Sequence, residues 1–183
     1  ASNLSPTSIL RIYYSSNNGS SWTSIVSDLS YTTTSYSWTV PSINSSNCLI
    51  RIWNLDKGSW ITYDDSDNPF TITSPTVHLT QPNGSETIPG GTAYSIQWTA
   101  SNLSPTSILR IYYSSNNGSS WTGIVSDLSY TTTSYSWTVP SINSSNCLIS
   151  VWNLDKGSWI TYGDSDNPFT ITSPPTVHLT QPN

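Results

Sequence analysis

The chain has 183 residues and a net charge of −5; charged residues make up 8% of it, and only five are Lys or Arg. So few basic residues argue against a nucleic-acid partner, because phosphate backbones are bound by clustered Lys and Arg. No run of about 20 apolar residues occurs, so we expect no membrane insertion in this segment. The sequence contains nine Trp and eleven Tyr, which can form a packed core. A disordered polar chain lacks such residues.

An internal repeat of about 99 residues dominates the sequence. Residues 1–75 recur at 100–174 with four substitutions, and TVHLTQPN at 76–83 recurs at 176–183. We therefore predict a repeat that lacks its first two strands at 1–75, a complete repeat at 76–175 and the first strand of a further repeat at 176–183. Because the first segment lacks strands needed for its core, we expect the repeat array to continue beyond this chain or a neighbouring copy to supply strands. The substitutions are Ser24/Gly123, Arg51/Ser150, Ile52/Val151 and Asp64/Gly163.

Apolar residues alternate with polar ones at a period of two, which predicts β-strands and no helix. In chain order the complete repeat gives VHLT (77–80), AYSIQWT (93–99), SILRIYYS (107–114), SYSWTVP (134–140), NCLISVW (146–152) and PFTIT (168–172). About seven short strands in such a length are typical of a two-sheet sandwich, so the predicted fold class is all-β, with tandem β-sandwich domains. The inward series is Tyr94, Ile96, Trp98, Leu109, Ile111, Tyr113, Tyr135, Trp137, Val139, Cys147, Ile149 and Val151.

Two local features refine this prediction. The dipeptide Asn117-Gly118 suits a type I′ hairpin turn, in which both residues have positive φ. In the strand NCLIRIW, the Arg51/Ser150 substitution is predicted to lie on the solvent face and Ile52/Val151 on the core face.

No arrangement of residues predicts catalysis, and we expect neither an enzyme nor a cofactor. The histidines of the first strand, His78 and His178, lie between inward-facing Val and Leu and are predicted to point outward. No serine lies in a nucleophile elbow or a recognisable triad pattern. The run DDSDN (64–68) offers carboxylates of the kind that calcium prefers, but the second copy reads GDSDN, so a turn capped by Asp side chains is favoured over a metal site.

Each repeat has one cysteine, Cys48 or Cys147, in the inward series of its strand. Equivalent positions in successive domains are too far apart for a disulfide. Two interpretations remain, a buried free thiol and a bridge to another chain.

The strings TVHLTQPNGSETIPGGTAYSIQWT, LRIYYSSNNGSSW, TSYSWTVP, NCLIRIW and DSDNPFTI together resemble bacterial extracellular tandem Ig-like repeats. They are also similar to the Ig-like domain of Ser/Thr-rich, GPI-anchored fungal cell-wall proteins. The resemblance implies Ig-like sandwiches in tandem on surface proteins, adhesins or secreted enzymes, and it brings no catalytic residues. The sequence departs from the pattern at WNLDKGSWITYDD (53–65), which is longer and more aromatic. Its two Trp flank an Asp-Lys-Gly turn, so we expect this segment to form a projecting hairpin with both indoles near its base.

Aromatic residues outside the inward series are the main candidates for function. Three interpretations are open: contact between units or chains, stacking on sugar rings, and cover for the ends of the same sandwich. We favour the first, with copies of the same repeat as partner and a polysaccharide as the alternative partner. The predicted interface residues are Trp53, Trp60, Tyr63, Trp152, Trp159 and Tyr162, with Tyr13 and Tyr112 nearby.

The predicted function is therefore that of a structural protein whose near-identical Ig-like repeats form an extracellular filament or a cell-surface stalk. The alternative is a carbohydrate-binding adhesin or an accessory module of a secreted hydrolase. An extracellular or cell-surface location makes the Asn-x-Ser sequons candidate glycosylation sites. The asparagines concerned are Asn3, Asn18, Asn44, Asn83, Asn102, Asn117 and Asn143.

Overall fold

The computed structural model describes residues 4–174. These residues form β-strands joined by turns and loops and contain no helix, so the all-β prediction is confirmed and no helix is present that could cross a membrane. Contacts within the chain divide the described residues into two compact units, residues 4–74 and 75–174.

The first unit forms one antiparallel sheet. Its strands are β1 (Ser8–Ser15), β2 (Thr23–Ser30), β3 (Ser45–Asp56), β4 (Ser59–Asp65) and β5 (Phe70–Ile72). Four of them lie in the order β2-β1-β3-β4, and β5 pairs with the beginning of β3, where Ser45 lies opposite Ile72.

The second unit repeats this sheet and adds a second one. Its strands are β6 (Thr76–Gln81), β7 (Thr87–Pro89), β8 (Ala93–Ser101), β9 (Ser107–Ser114), β10 (Thr122–Ser129), β11 (Ser134–Thr138), β12 (Ser144–Asp155), β13 (Ser158–Asp164) and β14 (Phe169–Thr172). The larger sheet has the order β10-β9-β12-β14-β7, with β13 also on β12, and the smaller sheet has the order β11-β8-β6. All pairs are antiparallel except β14 with β7.

Side chains from both sheets of the second unit share one buried core. Alternate residues of β8, β9, β11 and β12 contribute to it, as the period of two predicts. Nine of the inward-facing residues predicted above are buried, and Tyr94, Tyr113 and Tyr135 pack against the core while partly exposed. The inward series is therefore confirmed for this unit.

The first unit buries Leu10 and Cys48 but leaves several of the other equivalent side chains uncovered. Val40 is 51% exposed where its counterpart Val139 is 1% exposed, and Ile52 is 42% exposed where Val151 is fully buried. Residues 35–39 have the same sequence as β11 but form no strand. Among the described residues of this unit, no strand corresponds to β6, β7 or β8. Burial here depends on a second sheet and not on the local sequence.

The predicted two-residue hairpin at Asn117-Gly118 is wrong in its length. Both residues do have positive φ, 54° and 83°, but the loop between β9 and β10 spans residues 115–121. The Ser114 hydroxyl holds this loop by accepting hydrogen bonds from the amides of Asn116 and Gly118. Two-residue turns with both φ positive occur instead at Lys57-Gly58 and Lys156-Gly157.

The remaining local predictions have varied outcomes. His78 is exposed on β6, as predicted, whereas His178, Asn3 and the predicted strand at 176–183 lie outside the described residues.

Cys48 and Cys147 are unpaired and fully buried, and each thiol lies near the carbonyl oxygen three residues before it. This burial supports the free-thiol interpretation, because a partner chain has no access to either sulfur.

Candidate functional site: an aromatic cluster on each hairpin

The segment that departs from the Ig-like pattern forms the hairpin of β3 and β4, and its copy forms that of β12 and β13. The tight turn at Lys57-Gly58 sets the register, so Trp53 lies opposite Tyr63 and Leu55 lies opposite Trp60. A shift in register between Asn54 and Leu55 brings Trp60 onto the same face as Trp53. The hairpin predicted from the sequence is therefore present, and it groups the three aromatic side chains.

In the first unit the rings make direct contacts. The centroid of Trp53 lies 4.8 Å from that of Trp60, edge to face, and 4.6 Å from that of Tyr63. Trp60 and Tyr63 are each about half exposed. Aromatic pairs at these separations stabilise by about 0.5–1.5 kcal/mol beyond the area that they bury.

An arginine completes this cluster. The Arg51 guanidinium carbon lies 4.1 Å from the ring centroid of Trp22 and 4.2 Å from that of Tyr63. The same side chain forms a two-pronged salt bridge with Asp65, with N–O distances of 2.6 and 2.7 Å. The hydrogen bonds to Asp65 raise the pKa of Arg51, so the guanidinium is charged at every accessible pH. The cation is therefore held between two aromatic faces.

In the second unit the cluster has a different interior. Ser150 replaces the arginine and donates a hydrogen bond to Asp164. Without the guanidinium, Trp152 and Tyr162 stack with their centroids 4.5 Å apart and their planes 19° apart. Trp159 packs edge to face on Trp152 at 4.8 Å. A groove of about 410 Å³, lined by Tyr112, Trp121, Trp152 and Trp159, adjoins them.

The prediction that position 51/150 is a solvent-facing surface position is wrong. The Arg51 side chain is 19% exposed and Ser150 is 1% exposed. The reason is that the outer face of the sheet is covered by its own aromatic residues. Sequence reasoning missed Arg51, Trp22 and Trp121 as parts of the cluster. The signal for Arg51 was its position two residues before Trp53, on the same face of the strand.

The structure brings the predicted interface residues together as two groups of three, one group on each hairpin. Tyr112 lies near Trp159, at 6.4 Å between centroids, and Tyr13 lines the corresponding groove of the first unit. Among residues 4–174, no three His, Cys, Asp or Glu side chains lie close enough together to hold a metal ion.

Five of the candidate glycosylation sites lie on exposed asparagines: Asn18, Asn44, Asn102, Asn117 and Asn143. Asn83 is half-buried, and its side-chain amide donates a hydrogen bond to Asp166. A glycan attaches through that nitrogen, so Asn83 is the poorest acceptor among those described.

Comparison with protein-family models and with curated proteins finds no match to this sequence.

The arginine gives the first testable prediction. Changing Arg51 to Ser removes three cation–π contacts, with Trp22, Trp53 and Tyr63, together with the salt bridge, so we expect the first unit to lose about 1 kcal/mol of stability. Hydrogen exchange of a peptide covering residues 48–58 measures this loss. Its mass differs from that of the corresponding peptide in the second unit, so the exchange of the two peptides can be followed separately. Arg11→Ser is the matched control, since the ion pair of Arg11 with Asp28 is exposed and its guanidinium lies farther from an aromatic ring, 5.6 Å from the centroid of Trp60, so it should contribute less. Equal protection in wild type and R51S would contradict the expected role of Arg51.

Proposed function

We propose that this chain is a structural protein whose Ig-like β-sandwich repeats assemble into an extracellular filament or a cell-surface stalk. The observation that carries this proposal is the aromatic cluster of the β3–β4 hairpin, which recurs on the β12–β13 hairpin with Trp60, Tyr63, Trp159 and Tyr162 about half exposed. In this proposal the cluster is the surface through which units or chains contact each other.

The chemistry of the cluster fits a protein contact. Trp and Tyr are enriched at the energetic centres of interfaces because they bury a large area and lose little conformational entropy. An exposed group of such residues favours non-specific association unless a partner covers it. Because the cluster recurs in every unit, one weak contact is multiplied along an array, and the combined affinity then exceeds that of a single contact by orders of magnitude.

The extracellular location is part of the proposal and has its own support. The resemblance to extracellular Ig-like repeats points in this direction, and so do five sequons on exposed asparagines. The sequence is also poor in Lys and Arg, which leaves few sites for trypsin-like proteases.

A second candidate function is carbohydrate binding, and one observation favours it. In the second unit Trp152 and Tyr162 are stacked and adjoin a groove lined by four aromatic side chains. Flat aromatic surfaces of this kind stack on sugar rings. However, the groove has almost no polar groups to fix the hydroxyls of a sugar, and specific ligand sites normally include a few. Protein contact therefore has the better support.

The test is a quadruple variant in which Trp53, Trp60, Trp152 and Trp159 are changed to Ser. We expect it to remain folded and to lose assembly, as seen by negative-stain electron microscopy and light scattering. The matched control changes Ile61 and Ile160 to Ser, because these are exposed on the same hairpins but make none of the ring contacts. Folding is verified by hydrogen exchange of residues 93–99, which occur only once in the chain.

Two results would count against the assembly proposal. If the quadruple variant assembles like wild type, the aromatic clusters are not the contact surface. If it also loses binding to insoluble polysaccharide in a pull-down, the carbohydrate function replaces the structural one.

A further inference from the structure

The inner face of the first unit carries an apolar groove of about 280 Å³. Residues of β1, β2 and β3 line it together with the irregular segment that follows β2. Its central side chains are Leu10, Ile12, Ile25, Trp38, Ile50 and Ile52. All of these except Ile25 are counterparts of the inward series of the second unit, so the groove is an incomplete core and not a shaped pocket for a small molecule.

The second unit shows what covers this face in the same sequence context. There the counterparts Ile111, Ile149, Val151 and Trp137 are buried. The buried residues that complete this core come from β6, β7 and β8: Val77 and Leu79 lie on β6, and Ile88, Ile96 and Trp98, each at most 3% exposed, lie on β7 and β8. Residues 86–101 therefore hold three of the five buried apolar side chains that the groove of the first unit lacks, and the other two belong to β6.

Strand pairing gives independent support for a segment like residues 86–101 as the occupant of the groove. In the second unit β8 pairs with β11 over residues 134–138, and β7 pairs in parallel with β14. In the first unit residues 35–39 have the sequence of β11 without a strand partner, and the edge of β5 equivalent to that used by β14 has none among the described residues. Residues 35–39, three of which line the groove, and the open edge of β5 are therefore both available for strand pairing, as in acceptors of β-strand addition.

One residue limits what the groove can accept. In the second unit a Cβ atom at Gly163 would lie 2.6 Å from the carbonyl oxygen of Val77 on β6. The first unit has Asp64 at the equivalent position, so a strand placed like β6 would collide with it through backbone atoms. Residues 86–101 do not include β6, and Asp64 does not obstruct them.

We propose that the groove of the first unit binds a segment with the sequence of residues 86–101, supplied by another copy of the repeat, and that Asp64 excludes the β6 strand from this complex. The bound segment takes the places that β7 and β8 hold in the second unit. This inference rests on the proposed function, since it requires copies of this repeat to contact each other, but it concerns a different face from the aromatic clusters.

The experiment adds a fluorescent synthetic peptide of residues 86–101 to the full chain and measures binding by anisotropy. We expect saturable binding at one site per chain. A peptide with Ile96 and Trp98 changed to Asp should bind at least about a hundredfold more weakly, because it places charges in the core. Its control changes Ser95 and Gln97 to Asp, since both residues are exposed in β8, and this peptide should bind nearly like the original.

Variants of the chain locate the site. Ile52→Asp and Val40→Asp should each abolish peptide binding, and since both side chains are largely exposed in the free unit, neither should unfold it. In a chain with residues 1–74 labelled with ¹⁵N, the peptide should protect the amides of residues 35–39 from exchange, because they become a strand. Binding that survives both variants, or leaves these amides unprotected, would overturn the proposal.

Asp64 is tested with a longer peptide of residues 76–101. It should bind wild type no more tightly than the shorter peptide, and it should bind Asp64→Gly at least about tenfold more tightly than wild type, because removal of the side chain lets β6 dock. Equal binding of the long peptide to both chains would refute the role of Asp64. The quadruple Trp→Ser variant should bind the short peptide normally, so loss of assembly and loss of groove binding are separate results.

Discussion

Changing Trp137 to Ala is expected to lower the free energy of unfolding of the second unit by about 3–5 kcal/mol, the usual cost of deleting a large buried aromatic side chain. Trp137 is 5% exposed and packs on Tyr113 at 5.5 Å between centroids. A chain with two units need not unfold in one step, so the measurement must report on one unit. Hydrogen exchange of residues 93–99 does so, because this sequence belongs to β8 alone.

The first unit provides the matched control for this variant. Trp38 has the same local sequence as Trp137, but it lies on the open groove and is partly exposed. Trp38→Ala should therefore lower the free energy of unfolding of the first unit by only about 1 kcal/mol. Hydrogen exchange of a peptide that includes residues 51 and 52 measures this change, because these two residues differ between the units. Equal losses for the two variants would mean that the groove of the first unit is covered in solution.

Changing Gly163 to Asp, the residue found at position 64, should destabilise the second unit by about 3 kcal/mol. The added Cβ would lie 2.6 Å from the carbonyl oxygen of Val77 and 3.2 Å from the Cα of His78. Since both are backbone atoms, β6 must move away from β13 or lose its pairing with β8. Exchange of residues 77–80 should rise accordingly.

The reciprocal change, Asp64→Gly, should alter the stability of the first unit by less than about 1 kcal/mol. Asp64 is exposed, and no strand lies against it within the described part of its unit. A G163D variant as stable as wild type would show that β6 tolerates a side chain at this position, and the exclusion proposed for Asp64 would lose its basis.

The strands and their inward faces could be predicted because a half-buried strand imposes a period of two on its own sequence. This holds for Ile96, Trp98 and Ile149, which are buried as expected. Burial at Ile52 could not be predicted in the same way. Apart from Arg51 in place of Ser150, its neighbours in sequence are those of Val151, yet it is 42% exposed, because the sheet that covers Val151 has no counterpart over Ile52 in the described part of the first unit.

The candidate site was predictable only in part. An excess of Trp and Tyr on one hairpin identified the cluster, and the Asp-Lys-Gly sequence predicted its turn. The position of Arg51 between two rings depends on Trp22, which comes from a loop far away in the sequence. Contacts of this kind follow from strand pairing and leave no local pattern.

The fit of residues 86–101 to the groove also affects how the chain refolds. During refolding one segment meets two acceptor faces of nearly identical sequence, and neighbouring domains of this kind are prone to misassembly. The residue at position 64/163 makes the two faces different. Only the face of the second unit, which has Gly163 there, also accepts β6. A chain that docks the segment on residues 4–74 forgoes that strand and must release the segment before the second unit can form. Refolding should therefore contain a slow phase that Ile52→Asp removes, since this change closes the wrong acceptor face and leaves the right one intact.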